Sequence, residues 1–540
     1  MSASFPLPHH VVSGDGHSTP PTTPPRLDAA DTLPANIPSP STWITDHLLL
    51  QYQRCARRAY LDTHRDRTQA DPPSDYLQKI KQDSAEHRTL VLEDYDGFQR
   101  PHYRRGDWRA GAQATIALMA AGADYIVGGV LLEAVEHDTY LVSCPDILVK
   151  QGGWSLWGDW QYAPVDIKLG KKPKLDYQIV AAFHASVLAH SQGSWPHESW
   201  LALREGRYHS VDLEQQLPKF GEVLAACLAD LKGAIAPEVF IAHSRCDLCQ
   251  WFSQCYQTAR EVSHLSLLPG VTPARYAHLK AQGLMTVADL ARAHPRQLAY
   301  LPGFGDAVAG RLIHQAQATL YDRAIARLPA KTQQFVLSPH DLPSADVELY
   351  FDIEAAPDVD VIYLHGVLVV DHGHQTEQFH PLLAEAADQE RDAWEQFLDL
   401  VLQYPQAPIY HFCPYEAQTA RKLTRHYGSL PSDELQRLIN RFVDIHWCVT
   451  ESVTLPVESY ALKHIARWMG FEWRDSEANG AQSICWYNEW LTSGDRTYLD
   501  AILRYNEDDC RATYHVKQWL TEFAQPHWQT SAATYLTASA

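Results

Sequence analysis

Residues 347–356 read VELYFDIEAA, an apolar run rich in β-branched and aromatic residues that carries two carboxylates, Asp352 and Glu354, two positions apart. Its composition predicts a strand, and in a strand residues i and i+2 project from the same face. The two acids therefore share one side of a sheet. Far downstream, residues 504–520 read RYNEDDCRATYHVKQWL. On a helix, Tyr505 and Asp509 are four apart and again share a face. One strand and one helix, distant in sequence, thus present an Asp-x-Glu pair and a Tyr-x-x-x-Asp pair.

Further strands are expected in VIYLHGVLVVD (361–371) and APIYHFC (407–413), with helices near 523, so residues 346–525 make one α/β unit and 526–540 a loose tail. The set resembles an RNase H-like fold of the DEDD exonuclease type. That resemblance implies two divalent ions, Mg2+ or Mn2+, held by Asp352, Glu354, Glu416 and Asp509, with Tyr505 orienting the attacking water. Glu416, in IYHFCPYEAQTARKL (409–423), starts a helix where the family commonly has an aspartate after a short strand and turn. Asp444 in FVDIHWC and Asp508 are weaker candidates for the same place. The segment SYALKHIARWMGF (459–471) is similar to the one the family carries between its second and third motifs. Its Lys463 either meets phosphate or covers a helix.

Upstream lies the only internal echo in the chain. LLPGVTPARYAHLKAQGL is followed by YLPGFGDAVAGRLIHQA, and twice a Leu-Pro-Gly-apolar turn opens a short helix, at Leu268–Val271 and Leu301–Phe304. The pair resembles tandem helix-hairpin-helix units, here 263–325, with a linker over 326–345. A glycine-bearing turn lets backbone N–H groups at a helix start approach a phosphate without reading bases. Gly270, Gly303 and Gly305 hold those positions. A packing module of the same shape that never meets DNA is the other reading.

Between 43 and 262 helices alternate with apolar runs that read as strands, one further α/β domain. VSCPDILVK places Asp146 beside an apolar run, and VDIKLG places Asp166 and Lys168 on one face of another. Two carboxylates that share a divalent cation, with an ammonium nearby, suit phosphodiester hydrolysis. Around this core stand four cysteines: Cys55, then Cys246, Cys249 and Cys255 in CDLCQWFSQC. Three cysteines in ten positions exclude a simple disulfide framework and point to a metal. The order resembles RecB-like PD-(D/E)xK nucleases with an iron-sulfur cluster, which have a restriction-endonuclease-like core. The resemblance implies a 4Fe-4S cluster on the four cysteines, with zinc as the alternative. It also implies His87 as a further ligand beside Asp146 and Asp166, and Gln178 as a substrate contact. Where the family has a tyrosine four residues after that glutamine, this chain has Ala182.

Composition bounds the rest. Residues 1–42 are dense in Pro, Ser and Thr and are expected to be disordered. Neither a secretory leader nor a run of about eighteen apolar residues is present, so a cytoplasmic protein with no membrane partner is expected. The formal charge of −20 excludes a surface that is basic throughout. Basic runs are local, in RPHYRRGDWR (100–109) and KLGKKPK (168–174). The chain reads as a multi-domain α/β nuclease acting on DNA, single-stranded or at ends, in repair or processing. The alternatives are a nucleic-acid-binding scaffold with degenerate sites, or an RNA 3′–5′ exonuclease working through the RNase H-like half.

Overall fold

A computed structural model describes residues 42–136, 138–328, 334–356 and 360–538. The chain forms two compact units, one of residues 42–60 with Ser84–Ile235, the other of Leu61–Asp83 with residues from Ala236 onward. The segments 61–83 and 236–262, expected in the first α/β domain, thus cluster with the second unit. Hydrogen bonds account for this: Asp71 N–H donates to Gln250 O at 2.6 Å, and Trp251 Nε1 donates to Asp62 Oδ1 at 2.9 Å. Val239, Ile241, Ala259 and Leu267 then close a small apolar cluster there.

The first unit is built on a mixed five-stranded sheet in the order Tyr125–Val127, Ile147–Ser155, Gly158–Ile167, Trp200–Leu203, Arg207–Ser210. Only the pairing of Gly158–Ile167 with Trp200–Leu203 is parallel. Alternation sorts the faces. Val165 and Ile167 join a core with Tyr95, Val127 and Ile147, which leaves Asp166 between them to face the other way. On that side Ala181 of the helix Leu175–Gln192 packs on Leu201, the pairing partner of Asp166. This helix is apolar nearly all round, as a buried helix must be, and ends on Gly193, whose φ of 73° suits a left-handed cap. A second sheet, Thr42–Thr45, Thr139–Ser143 and Leu131–Glu136, completes the unit.

The second unit contains the helical module and a five-stranded sheet. In the module the helices Pro273–Ala281, Val287–Arg292, Pro295–Ala299 and Gly305–Tyr321 enclose Leu268, Val271, Leu279, Leu290, Leu298 and Phe304. The sheet runs in the order Thr376–Leu383, Val361–Asp371, Val347–Ala356, Ile409–His411, Phe442–Asp444. Its first two pairings are antiparallel and its last two parallel. One core packs Leu349, Phe351, Val367 and Ile409 against the helix Glu390–Gln403, and the other packs Tyr350, Leu368 and Tyr410 against the helix Arg496–Ala538.

Two expectations at the edges need correction. The tail expected from 526 continues the Arg496–Ala538 helix through Pro526, because Trp528 Nε1 donates to Leu337 O at 2.7 Å and His527 stacks on Phe335. The linker expected over 326–345 is partly structured: Ile325–Ala326 pairs with Val453–Thr454, and Leu337 and Leu342 are buried in the core. The expected disordered N-terminal region lies, up to residue 41, outside the described residues. No helix among the described residues is long and apolar enough to cross a membrane.

Candidate active site

The strand Val347–Ala356 is the middle of its sheet, and its alternation sends Asp352 and Glu354 to the side covered by the helix Arg496–Ala538. There they meet Asp509: one carboxylate oxygen from each of the three lies within 4.8 Å of the others. Each acid has a neutral donor. Asn506 Nδ2 donates to Asp352 Oδ2 at 2.7 Å, Ser483 Oγ to Glu354 Oε2 at 2.8 Å, and Trp473 Nε1 to Asp509 Oδ1 at 2.7 Å. The Tyr505 hydroxyl also bonds Asp509, one helical turn away.

Burial dominates the electrostatics. It pushes Glu354 up to about 8 and Asp509 up to about 7, in spite of the hydrogen bonds from Ser483, Trp473 and Tyr505 that pull the other way. Asp352 is raised well above its ordinary value by burial and then by the charges of Asp509, Glu354 and Glu416. Glu354 is buried and Asp352 and Asp509 are half-buried; carboxylates this close repel one another when ionised, and a divalent ion relieves that repulsion.

Glu416 is buried in the first turn of the helix Tyr415–Tyr427, outside the group of three. Its Oε2 lies 3.3 Å from His411 Nδ1, and its charge reaches Asp352. The turn before it is tight, with Cys413 in the left-handed region at φ 80°, its N–H donating to Asp444 Oδ1 and its carbonyl accepting from His411. Asp444 is thereby engaged as cap of the helix Ile445–Ser452, and Asp508 is paired with Arg474 at 2.7 Å. Lys463 donates to the carbonyls of Ser476 and Ala478 and so ties down a loop.

The strand next door shows how closely this site is packed. Gly366 stands opposite Asp352, and a Cβ built on it would come 1.6 Å from Asn506 Oδ1 and 3.0 Å from the Phe379 ring. Only hydrogen leaves room for Asn506 to reach Asp352. Gly366→Ala is expected to displace Asn506, cost about 1–3 kcal/mol of stability and weaken metal binding roughly 10- to 100-fold. Denaturant melts and Mn2+ titration check both, and a variant with wild-type affinity would show that Asn506 does not orient Asp352.

A second set of groups meets in the first unit. Asp146 precedes the strand Ile147–Ser155 and Asp166 lies on its neighbour, so that Ile167 N–H donates to Asp146 Oδ2 at 2.6 Å. Lys168 Nζ lies 2.6 Å from Asp166 Oδ2, and Arg88 Nε lies 2.7 Å from Asp146 Oδ1. Burial raises Asp146, with Asp166 adding repulsion. The helix Asp75–Leu92 therefore brings Arg88 to the carboxylate, while His87 hydrogen-bonds the backbone of Lys168. Gln178 is occupied at its own helix start, donating to Pro173 O at 2.8 Å and accepting from Gln216 at 3.4 Å.

Two further groups here were not singled out from sequence. Asp46, first residue of the helix Asp46–Arg54, is raised to about 7 by burial and then by Asp166. His184 is wholly buried, held neutral by a pKa lowered to about 3, and its Nε2 lies 3.8 Å from Asp166 Oδ2. A polar residue in the apolar helix run IVAAFHASVLAH is the one signal that marked it.

The cysteines fall in both units. Cys55 ends the helix Asp46–Arg54, and its Sγ accepts from Arg58 N–H at 3.4 Å. Cys246 ends the helix His243–Cys246, its Sγ accepts from Ala242 N–H at 3.4 Å, and Cys249 N–H donates to Cys246 O at 2.8 Å, closing a knuckle. Cys255 follows within the helix Phe252–Glu261. None of these four cysteines is in a disulfide. In the helical module, Gly270, Gly303 and Gly305 take φ of 87°, 78° and 64°, which L side chains rarely adopt. Arg275 joins the two turns, donating to Gly270 O at 2.8 Å and to Gly303 O at 3.3 Å.

No curated protein matches the chain. Compared with models of protein families, residues 262–318 match a SAM-like helix-hairpin-helix tandem, and residues 349–521, which hold Asp352, Glu354, Tyr505 and Asp509, match the RNase_H superfamily. The chain is a mixed α/β, multi-domain protein that contains a helix-hairpin-helix tandem and, after it, a domain of the RNase_H superfamily.

Proposed function

We propose that this protein is a metal-dependent nuclease that hydrolyses phosphodiester bonds of DNA, at single strands or ends. The observation that carries the reading is the close trio of Asp352, Glu354 and Asp509, which has the donors, the spacing and the charge that a divalent cation needs. Mg2+ or Mn2+, when bound, supplies Lewis acidity and a water of lowered pKa. Asp352, Glu354 and Asp509 would hold it, with Glu416 adding negative field from the neighbouring helix. The Tyr505 hydroxyl stays protonated, since burial and Asp509 push it far above its ordinary value. It is placed to orient an attacking water. The turns at Gly270 and Gly303, held in register by Arg275, would take the substrate's phosphates through backbone N–H groups.

The first unit is proposed as a second cutting site of the RecB-like kind, with Asp146 and Asp166 as metal ligands and Lys168 steadying the phosphorane-like charge. Cys55, Cys246, Cys249 and Cys255 would hold a 4Fe-4S cluster. The N–H groups of Arg58 and Ala242, which donate to sulfur, suit thiolates. Protein purified without oxygen is expected to be brown, with about four irons and acid-labile sulfide per chain. A colourless protein with one zinc would replace the cluster by a zinc knuckle.

The test of the function is cleavage of end-labelled single- and double-stranded DNA and of RNA, by wild type, Asp352→Asn and Asp166→Asn. Wild type that cuts only DNA, and variants that each lose one activity but keep DNA binding, bear out the reading. Cleavage confined to RNA would move the function to RNA processing, and binding without any cleavage would make the chain a scaffold.

A further inference from the structure

We infer that His184 is the histidine ligand of the metal in the first unit. The inference rests on the reading of Asp146 and Asp166 as a metal site.

His184 projects from the middle of the helix Leu175–Gln192 and is 0% exposed. Its Nδ1 lies 2.7 Å from Ser143 Oγ, on the strand Thr139–Ser143, which holds the ring in one orientation. Its Nε2 is buried and makes no hydrogen bond. A buried polar nitrogen without a partner is costly and calls for an explanation. The nearest charged oxygen is Asp166 Oδ2 at 3.8 Å. That separation is too long for a hydrogen bond. It lies inside the span of about 4.2 Å that two donors of one ion can reach when each is about 2.1 Å from it.

The partner on Nδ1 sets which nitrogen of the ring is free. With Ser143 Oγ accepting from Nδ1–H, the lone pair of a neutral ring is left on Nε2, the nitrogen that lies 3.8 Å from Asp166. Metal-bound histidines are oriented in this way, by a hydrogen bond on the opposite nitrogen. Lys168 Nζ already lies 2.6 Å from the same Asp166 oxygen, but an ionised carboxylate offers about four acceptor positions, so the ammonium and an ion can share it. The other histidine near the site, His87, also has a buried Nε2 without a partner, but it bonds the backbone of Lys168 and the charges that act on it are those of Arg204 and Arg88, not of a carboxylate.

Mn2+ bound to the full chain gives the test, because an imidazole ligand imposes nitrogen modulation on the electron spin echo and carboxylates do not. Asp352→Asn is placed in every sample to silence the carboxylate-only site. Nitrogen modulation that survives His87→Ala and is lost in His184→Gln, with a 10- to 100-fold weaker Mn2+ affinity in Ser143→Ala, is the expected result. Modulation lost in His87→Ala and kept in His184→Gln overturns the assignment, as does bound Mn2+ with no modulation at all. If His184→Gln does not fold, the Ser143→Ala affinity decides, and an unchanged value overturns the assignment. Mn2+ binding that is indifferent to Asp166→Asn would instead remove the metal site itself, a different failure.

Discussion

Asp352→Asn is expected to reduce metal-dependent cleavage by the RNase H-like domain on the order of 10³-fold, about 4 kcal/mol of lost transition-state stabilisation. The amide keeps the shape and the contact with Asn506 but removes the charge that would hold the ion. Its effect on stability has the opposite sign. Without metal, the trio is costly to ionise: burial above all raises Asp509 from 3.8 to about 7 and Glu354 from 4.5 to about 8, and the charge of Asp509 adds repulsion on Glu354. Acids whose folded pKa is raised stabilise the fold fully below their unfolded values, and that stability is lost as pH rises through the folded values. In EDTA the wild type is therefore expected to lose thermal stability between about pH 4 and pH 8. Asp352→Asn should lose less, and Mg2+ should restore the wild type in the upper part of that window. Calorimetry with and without EDTA reads both effects. A variant that melts below wild type in EDTA at pH 8 would show that ionising the three acids does not cost the fold stability.

Lys517→Met is expected to be the most damaging single change to the fold, at about 3–5 kcal/mol. Glu348 is 0% exposed in the strand Val347–Ala356, and among the described residues its only Lys or Arg partner is Lys517 Nζ, 2.7 Å away on the helix Arg496–Ala538. Tyr350 OH donates to the other oxygen at 2.6 Å, and His372 Nε2 lies 3.1 Å from it. Burial pushes Glu348 up, yet the hydrogen bonds from Lys517 and Tyr350 outweigh it and hold the group below its ordinary value. It is ionised at neutral pH, and without the ammonium it would remain as an uncompensated buried charge. The pair also fixes the azimuth of the helix that delivers Asp509 to the site, so catalysis should fall with stability. Adding Glu348→Gln to Lys517→Met is expected to return most of the lost stability. A single variant that costs under about 1 kcal/mol in urea melts would refute the argument.

Two periodicities carried the legible part of the site. Asp352 and Glu354 share a face because strands repeat every two residues, and Tyr505 and Asp509 share one because helices repeat every 3.6. Leu-Pro-Gly twice over announced the helical module, since glycine at positive φ is a local demand. Longer-range features were not legible. That Arg88, not its neighbour His87, reaches Asp146 depends on the rotation of one helix by about 100° per residue, which nothing in SAEHRTLVL specifies. Asn506, Ser483 and Trp473 look like ordinary polar or aromatic residues until the fold brings each to one carboxylate.

The sequence by itself thus determined which residues share a face within each strand and helix, and from that the classes of domain and the acids available for chemistry. Only the tertiary structure decided which faces meet. It placed Glu416 beside His411 at the edge of the trio, carried the last helix past Pro526, and put His184 against Asp166. The physical reason is that local periodicity follows from backbone geometry alone, whereas the pairing of distant faces follows from strand register and from volume. Gly366, where one added carbon would separate Asn506 from Asp352, shows how small a volume decides it.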